Sequence, residues 1–304
     1  MHKLHTLLPT DPPFFPFTKN AVLEVYVTFD EEPAMLIRNY YGDESNNYKQ
    51  AEILSEGDEP LDLTWRMYGY GGNDTLIGAY FNDTIEGGSG NDSLRGSLGN
   101  DRIFGQQGSD LLYGEQGNDD LFGGDGNDTL YGSSGGDILL GDSGDDDLYG
   151  DRDRDSLSGG DGSDRLYGGD SSDTLSGDKE DDLLDGGADD DLLDGYGIGY
   201  DGVPDTEFDT LTGGTGADTF KLGEIDVGKE NEDPLNAVYY LGDGFATITD
   251  FSRSEGDKIQ VIGSSEDYST FVVFGETAIL VEDDIIGVVT NTIDVDIAID
   301  FEFI

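Results

Sequence analysis

Residues Gly105–Tyr131 read GQQGSDLLY GEQGNDDLF GGDGNDTLY, three consecutive nine-residue blocks with glycine first and fourth, aspartate sixth and leucine eighth. Followed in both directions, this frame runs from Gly69 to Lys221 as 17 blocks of the form GGxGxDxUx, U being a large apolar residue. The sixth position is Asp in 16 blocks, with Tyr200 the exception. The eighth is large and apolar in 16, with Gly202 of the same block the exception.

Glycine at the first, second and fourth positions allows positive φ and a sharp turn, which points several carbonyl oxygens to one side. The sixth-position Asp adds a carboxylate to that cluster. A hard cation taking six to eight oxygens at flexible distances suits such a site, which favours Ca²⁺ over Mg²⁺ and excludes soft metals. Three residues per block remain for a strand, the middle one pointing inward. Two blocks therefore make one coil of eighteen residues, with turns along two edges and a thin apolar seam between two parallel sheets.

Block n then faces block n+2, and the edges can be read separately. The first carries Asp74, Asp92, Asp110, Asp128, Asp146 and Asp164 with fourth-position Gly72, Gly90, Gly108, Gly126, Gly144 and Gly162, before Glu180 and Ile198 interrupt it. The second has Phe81, then Asp101, Asp119 and Asp137 with Gly99, Gly117 and Gly135, then Asp153, Ser171, Asp189 and Glu207 in the glycine column. Non-glycine residues are strained in a left-handed turn, so tight metal sites are expected over the named Asp and Gly residues and weak or empty ones beyond. Where the second edge degrades, Arg152, Arg154 and Lys179 supply cations that could replace a missing metal or offset the surrounding acids.

These blocks resemble the RTX, or haemolysin-type, calcium-binding repeat. The resemblance implies an all-β fold, a right-handed parallel β-roll, with multiple Ca²⁺ ions between the turns of successive coils. They would be held by sixth-position carboxylates and early main-chain carbonyls. It also implies type I secretion without an N-terminal signal, into calcium-rich extracellular surroundings where the roll folds. Such proteins often end in an acidic residue followed by apolar ones, and Asp300-Phe301-Glu302-Phe303-Ile304 is similar apart from the intervening Glu302.

The rest of the chain divides around the repeats. Residues 1–68 read as a lead-in and cap, with candidate strands at Ala21–Phe29 and Leu61–Tyr68, the second carrying the single Trp65. Solenoids need such terminal covers. Residues 222–304 read as a β-rich cap with strands at Phe245–Phe251, Asp257–Ile262, Thr270–Phe274, Ala278–Val281 and Ile285–Thr290, and a turn at Gly275-Glu276-Thr277.

Composition narrows the function. With 47 glycines, 35% apolar residues and a net charge of −53, the chain borders on disorder, and crowded carboxylates make bound cations a condition of folding. Fifteen basic residues against 68 acids exclude nucleic acid as a partner. There is no cysteine for disulfides or thiolate sites. Pro9, Asp11, Pro12, Pro13 and Pro16 interrupt any apolar signal core at the start, and no stretch is apolar enough for a membrane span.

Catalytic motifs find no support. Gly132-Ser133-Ser134-Gly135-Gly136 fits GxSxG, but the only histidines are His2 and His5. Gly197–Gly202 fits GxGxxG in a decayed block without a following helix signal. Asp151-x-Asp153-x-Asp155 lacks the glycine and terminal glutamate of an EF-hand loop, and there is no HExxH. The ninth position on one face reads Tyr113, Tyr131, Tyr149 and Tyr167, spaced to stack roughly 4.8 Å apart. We expect a secreted, non-enzymatic calcium-binding roll. The alternatives are an adhesin or polysaccharide-binding module that uses this tyrosine face at a cell surface, and, less favoured, a polysaccharide lyase or epimerase.

Overall fold

The computed structural model describes residues 21–26, 36–50, 55–56, 59–60, 63–196, 208–222, 246–261, 268–273, 276–281, 284–290, 295 and 300–303. His2, His5, the start of the chain and Gly197–Gly202 lie outside them.

The chain is an all-β solenoid, and among the described residues its repeat strands fall alternately into two 13-stranded, mainly parallel sheets, with one further pair at Ser55–Glu56 and Glu59–Pro60. Strand Leu111–Gln116 pairs with Thr129–Ser134, and that with Asp147–Arg152; in the other sheet Arg102–Gln107 pairs with Asp120–Asp125, and that with Ile138–Ser143. Partners stand eighteen residues apart, as in Leu112↔Leu130↔Leu148. The eighth-position side chains meet between the sheets and are almost fully buried, from Leu76 through Leu130 and Leu184 to Phe220. A core one side chain thick holds only if each sheet presents an inward residue in every coil, which the eighth-position column supplies.

The strands are six residues long rather than three. Thr129–Ser134 takes positions seven to nine of one block and one to three of the next, with burial alternating along it. The longer strand follows from how the glycines are used. Positive φ occurs at the second position, as at Gly124 (113°) and Ser133 (82°), and at the fourth, as at Gly126 (127°), whereas first-position glycines such as Gly123 and Gly132 do not show it. The first-position glycine answers a need for space: a Cβ on Gly150 would lie 2.5 Å from Asp155 Oδ2 and 2.7 Å from the Gly168 carbonyl oxygen.

The strict n to n+2 pairing fails once. Leu184 pairs with Leu211 and Leu193 with Phe220, an offset of 27. The pairing steps over one extra repeat length, and the step falls between Tyr196 and Phe208, the interval whose sequence holds Tyr200 and Gly202. Asp218 consequently aligns with Asp191 on the second edge rather than falling on the first.

The nine-residue period ends at Lys221 but the sheets continue. Thr219–Leu222 pairs in parallel with Lys258–Val261 and that with Phe301–Phe303, while Thr210–Thr215 pairs with Ala246–Ile248 and that with Asp284–Val289. An antiparallel hairpin follows, in which Val273 pairs with Glu276. Glu276 and Thr277 are thus strand residues, not the expected turn. Asp300, in the acidic ending, is buried and ion-paired with Arg253. At the other end Leu63–Gly71 pairs with Leu36–Tyr41, which pairs antiparallel with Ala21–Tyr26. Trp65 is buried there, with the Lys49 ammonium 5.3 Å from its ring centre. Among the described residues no helix is long and apolar enough to cross a membrane.

The two glycine roles separate experimentally. Gly150→Ala should lower stability by roughly 1–3 kcal/mol in saturating calcium, through overpacking against Asp155 and Gly168. Asp153→Gly, which relieves a left-handed fourth position with φ of 68°, should stay within about 1 kcal/mol of the parent. Equal losses in denaturant titration would contradict the spatial role.

Candidate metal centres along the two edges

Each turn spans the fourth to sixth positions, and apart from the Phe81 turn its fourth residue stays left-handed in the described repeats, with or without glycine. Gly72, Gly90, Gly99, Gly108, Gly117, Gly126, Gly135, Gly144 and Gly162 have φ between 94° and 136°, and Asp153, Ser171, Glu180 and Asp189 hold φ between 68° and 86°. The degenerate turns therefore carry the expected strain, on the order of 1 kcal/mol each, without changing path.

Every sixth-position Asp in the ladder is buried, at 3% exposure or less. Its Oδ1 accepts the main-chain N–H of the equivalent Asp one coil earlier: Asp110 N donates to Asp128 Oδ1 at 2.7 Å, and Asp137 N to Asp155 Oδ1 at 2.7 Å. Repeated coil after coil, this makes one unbroken file of carboxylates per edge. The second oxygen has no such provision. Oδ2 of Asp74, Asp92, Asp101, Asp110, Asp119, Asp128, Asp137, Asp146, Asp155, Asp164, Asp173 and Asp191 is buried without a hydrogen-bond donor. Nearby, the fourth-position carbonyls of Gly90, Gly108 and Gly126 accept no main-chain hydrogen bond, and each lies against the fourth residue of the next coil.

Buried acceptors without donors are rare in folded proteins, and a row of them requires protons or cations. The donor set is carboxylate and carbonyl oxygen, which fits Ca²⁺. Among the described residues no three acidic or histidine side chains converge, so main-chain carbonyls must complete any coordination sphere. Calcium bound there would supply the positive charge that lets the two carboxylate files remain ionised. The chain's own part is to hold Oδ1 on the preceding coil's N–H and so aim Oδ2 into the turn.

The structure brings all the expected Asp residues into these files, and it extends them past Asp164 and Asp137. The donor-less oxygens at Asp155, Asp173 and Asp191 lie beside turns without fourth-position glycine, so loss of that glycine does not dissolve the carboxylate file. Asp83, beside the Phe81 turn, is different: its oxygens accept from Trp65 N and Ala79 N at 2.6 and 2.7 Å. Of the cations, Arg154 donates through Nε to the Ser172 carbonyl of the next coil at 3.2 Å, whereas Lys179 pairs with Asp161 and Arg152 is exposed. Arg154 thus reaches a neighbouring turn.

A second ladder runs beside the Asp files. Fifth-position Asn side chains accept the next coil's main-chain N–H, as in Asn91 N to Asn73 Oδ1 at 3.2 Å, Asn118 N to Asn100 Oδ1 at 3.0 Å, and Gly136 N to Asn118 Oδ1 at 3.0 Å. Its signal, Asn recurring immediately before the Asp from Asn73 to Asn127, stands in plain view in the sequence. The GxSxG segment is one of these repeat turns: Ser134 lies at a strand end with Oγ bonded to the Glu115 carbonyl, and a further strand follows.

On one outer face Tyr113, Tyr131, Tyr149 and Tyr167 stack with ring centres 5.0, 4.8 and 4.9 Å apart and planes within 9° of parallel. Arg95 covers the free face of Tyr113 at 5.2 Å. The π faces are thus spent on one another, and the ladder offers outward only ring edges and hydroxyls.

Burial pushes the file carboxyls far above the usual carboxylate range: Asp110, Asp119 and Asp173 to about 6, Asp137, Asp146 and Asp164 to about 7, and Asp101, Asp128, Asp155 and Asp191 to about 8. The N–H donated to Oδ1 opposes this shift in each. A metal-free roll therefore binds more protons than the unfolded chain between about pH 4 and 8, and its stability falls as pH rises through that window. Self-repulsion of the acidic chain acts in the same direction. Urea midpoints measured in chelator should be highest near pH 5 and lowest near pH 8. Where the metal-free roll stays folded, calcium must displace these protons, so a pH-stat should record proton release on calcium addition at pH 5.5 and much less at pH 9.

The RTX calcium-binding nonapeptide repeat family (4 copies) matches residues 68–103, 95–130, 131–166, 140–175, 167–197 and 205–224. Its matches break between 197 and 205, the interval in which the pairing offset jumps from 18 to 27. No curated protein matches the chain. The strand ladder, the buried Asp files and the family match agree, and over residues 68–224 the chain is a calcium-binding RTX repeat protein.

Proposed function

We propose that the chain is a secreted, non-enzymatic protein whose roll folds on binding multiple Ca²⁺ ions between successive turns. The observation that carries this reading is the two rows of donor-less Oδ2 atoms, Asp92 to Asp164 on one edge and Asp101 to Asp191 on the other, buried near open main-chain carbonyls such as those of Gly90, Gly108 and Gly126. Without cations each file must be protonated or repelled, so scarce calcium leaves an open chain suited to export. Extracellular calcium then neutralises the files and closes the roll. The type I export route rests on the family resemblance.

In circular dichroism the chain should lack its full β signal in chelator and gain it cooperatively on calcium addition, with a midpoint on the order of 0.1–1 mM, the range of extracellular calcium modules. A complete β spectrum in chelator at pH 8 would sink the folding-switch reading.

The regular tyrosine stack favours a second reading, a binding module for an extracellular polysaccharide or cell surface. Its geometry suits hydrogen bonds to a row of hydroxyls rather than sugar stacking on ring faces. Replacing both Tyr131 and Tyr149 with Ser should abolish glycan-array binding under this reading. Unchanged binding to every glycan would remove it.

A further inference from the structure

Residues Gly42-Asp43-Glu44-Ser45-Asn46-Asn47-Tyr48-Lys49-Gln50 stand one coil before the first recognised block and share its construction. Strand Tyr48–Gln50 pairs in parallel with Thr75–Ile77. Thr75 N donates to the Asn47 carbonyl at 2.8 Å, just as Ser93 N donates to that of Asp74. Asn73 N donates to Asn46 Oδ1 at 2.9 Å, which makes Asn46 the first rung of the Asn ladder. Asn47 N donates to Asp74 Oδ1 at 2.6 Å, the bond that joins every Asp to the next. By all these contacts Asn47 holds the sixth position of a terminal turn, with Asn in place of Asp.

That replacement alters one atom in a decisive place. In a repeat block the donor-less Oδ2 lies against the first-position glycine, 2.5 Å from a Cβ on Gly150 in the case of Asp155. In the terminal turn the Asn47 Nδ2 takes that place, 2.9 Å from a Cβ on Gly42. Asn47 is buried, at 7% exposure. Its Nδ2 donates to the Ser45 carbonyl at 2.5 Å, the Asp43 carbonyl at 3.2 Å and Asp74 Oδ1 at 3.0 Å. All three partners are acceptors, so the nitrogen end of the amide must face them. Ser45 stands at the fourth position, whose carbonyl is left open at Gly90, Gly108 and Gly126. Inside the roll, acceptors converge where the end of the roll has a donor.

We propose that Asn47 is the stopper of the first-edge calcium ladder: its amide stands where a cation would stand between the terminal turn and Asp74. This inference rests on the calcium reading of the repeats. The turn at 42–47 then closes without calcium, and the first ion of that edge lies between the Asp74 and Asp92 turns. The second edge starts in a similar way, since Trp65 N and Ala79 N already satisfy Asp83. The first coil is closed on both edges by protein donors, a fixed end against which the calcium-dependent coils can stack.

Anomalous diffraction from crystals of the full chain grown in calcium tests this, alongside calorimetric calcium stoichiometry for the parent and Asn47→Asp. The parent should show calcium beside Asp92 and Asp110 and none beside Asn47. Asn47→Asp, which puts an acceptor and a charge where Nδ2 stands, should bind one more ion per chain and place it in the terminal turn. A calcium peak beside Asn47 in the parent would overturn the inference while leaving the calcium reading intact, and so would an unchanged ion count in a folded Asn47→Asp variant. No calcium peak on either edge of the parent would overturn the calcium reading and the stopper with it. Because the parent crystal decides by itself, the test survives a variant that fails to fold.

Discussion

Two files of buried carboxylates govern this molecule. Along the files one Asp oxygen accepts the main-chain N–H of the preceding coil, and in twelve of these residues the other oxygen is buried without a donor. The first contact makes the stack: it ties every turn to the next at a spacing that also aligns the leucines. The second leaves an unmet demand for positive charge along both edges, from Asp92 to Asp164 on one and from Asp101 to Asp191 on the other. Folding and cation binding are thus the same event viewed from two atoms of one side chain.

The glycines serve these files in distinct ways. The first-position glycine clears room for Oδ2, and a side chain there would strike the carboxylate it must accommodate. The second and fourth positions need left-handed backbone, and Asp153, Ser171, Glu180 and Asp189 tolerate it at a modest conformational cost. This explains why fourth-position glycine drifts along the chain while first-position glycine and sixth-position Asp persist. A steric collision with a buried charge is harder to relieve than a strained φ.

The outer faces follow another rule. A parallel ladder places equivalent residues directly above one another, so tyrosine in one coil stacks on tyrosine in the next. The same register that exposes a regular aromatic row also covers its π faces. An aromatic ladder on a roll is therefore a different surface from isolated tyrosines on a flat sheet, presenting hydroxyls in line rather than platforms.

Much was legible in the one-dimensional pattern because the solenoid is nearly one-dimensional itself. Position in the nonapeptide decides which residues point inward, which turn and which carry oxygen ligands, so the all-β roll, the leucine seam, the Asp files and the tyrosine stack follow from counting. Contacts between distant parts of the chain were not legible. The sequence around Tyr200 and Gly202 looks like one weak block, yet only pairing across the sheets reveals that the register steps by 27 residues there. Asn47 looks like part of a polar lead-in, because 18 residues separate its block from Gly69 and Lys49 occupies the apolar position. Tertiary structure alone places it under Asp74, since a terminal turn is defined by the coil it covers. The sequence determined the repeat and its chemistry, whereas the three-dimensional stack decided where that repeat begins, skips and ends.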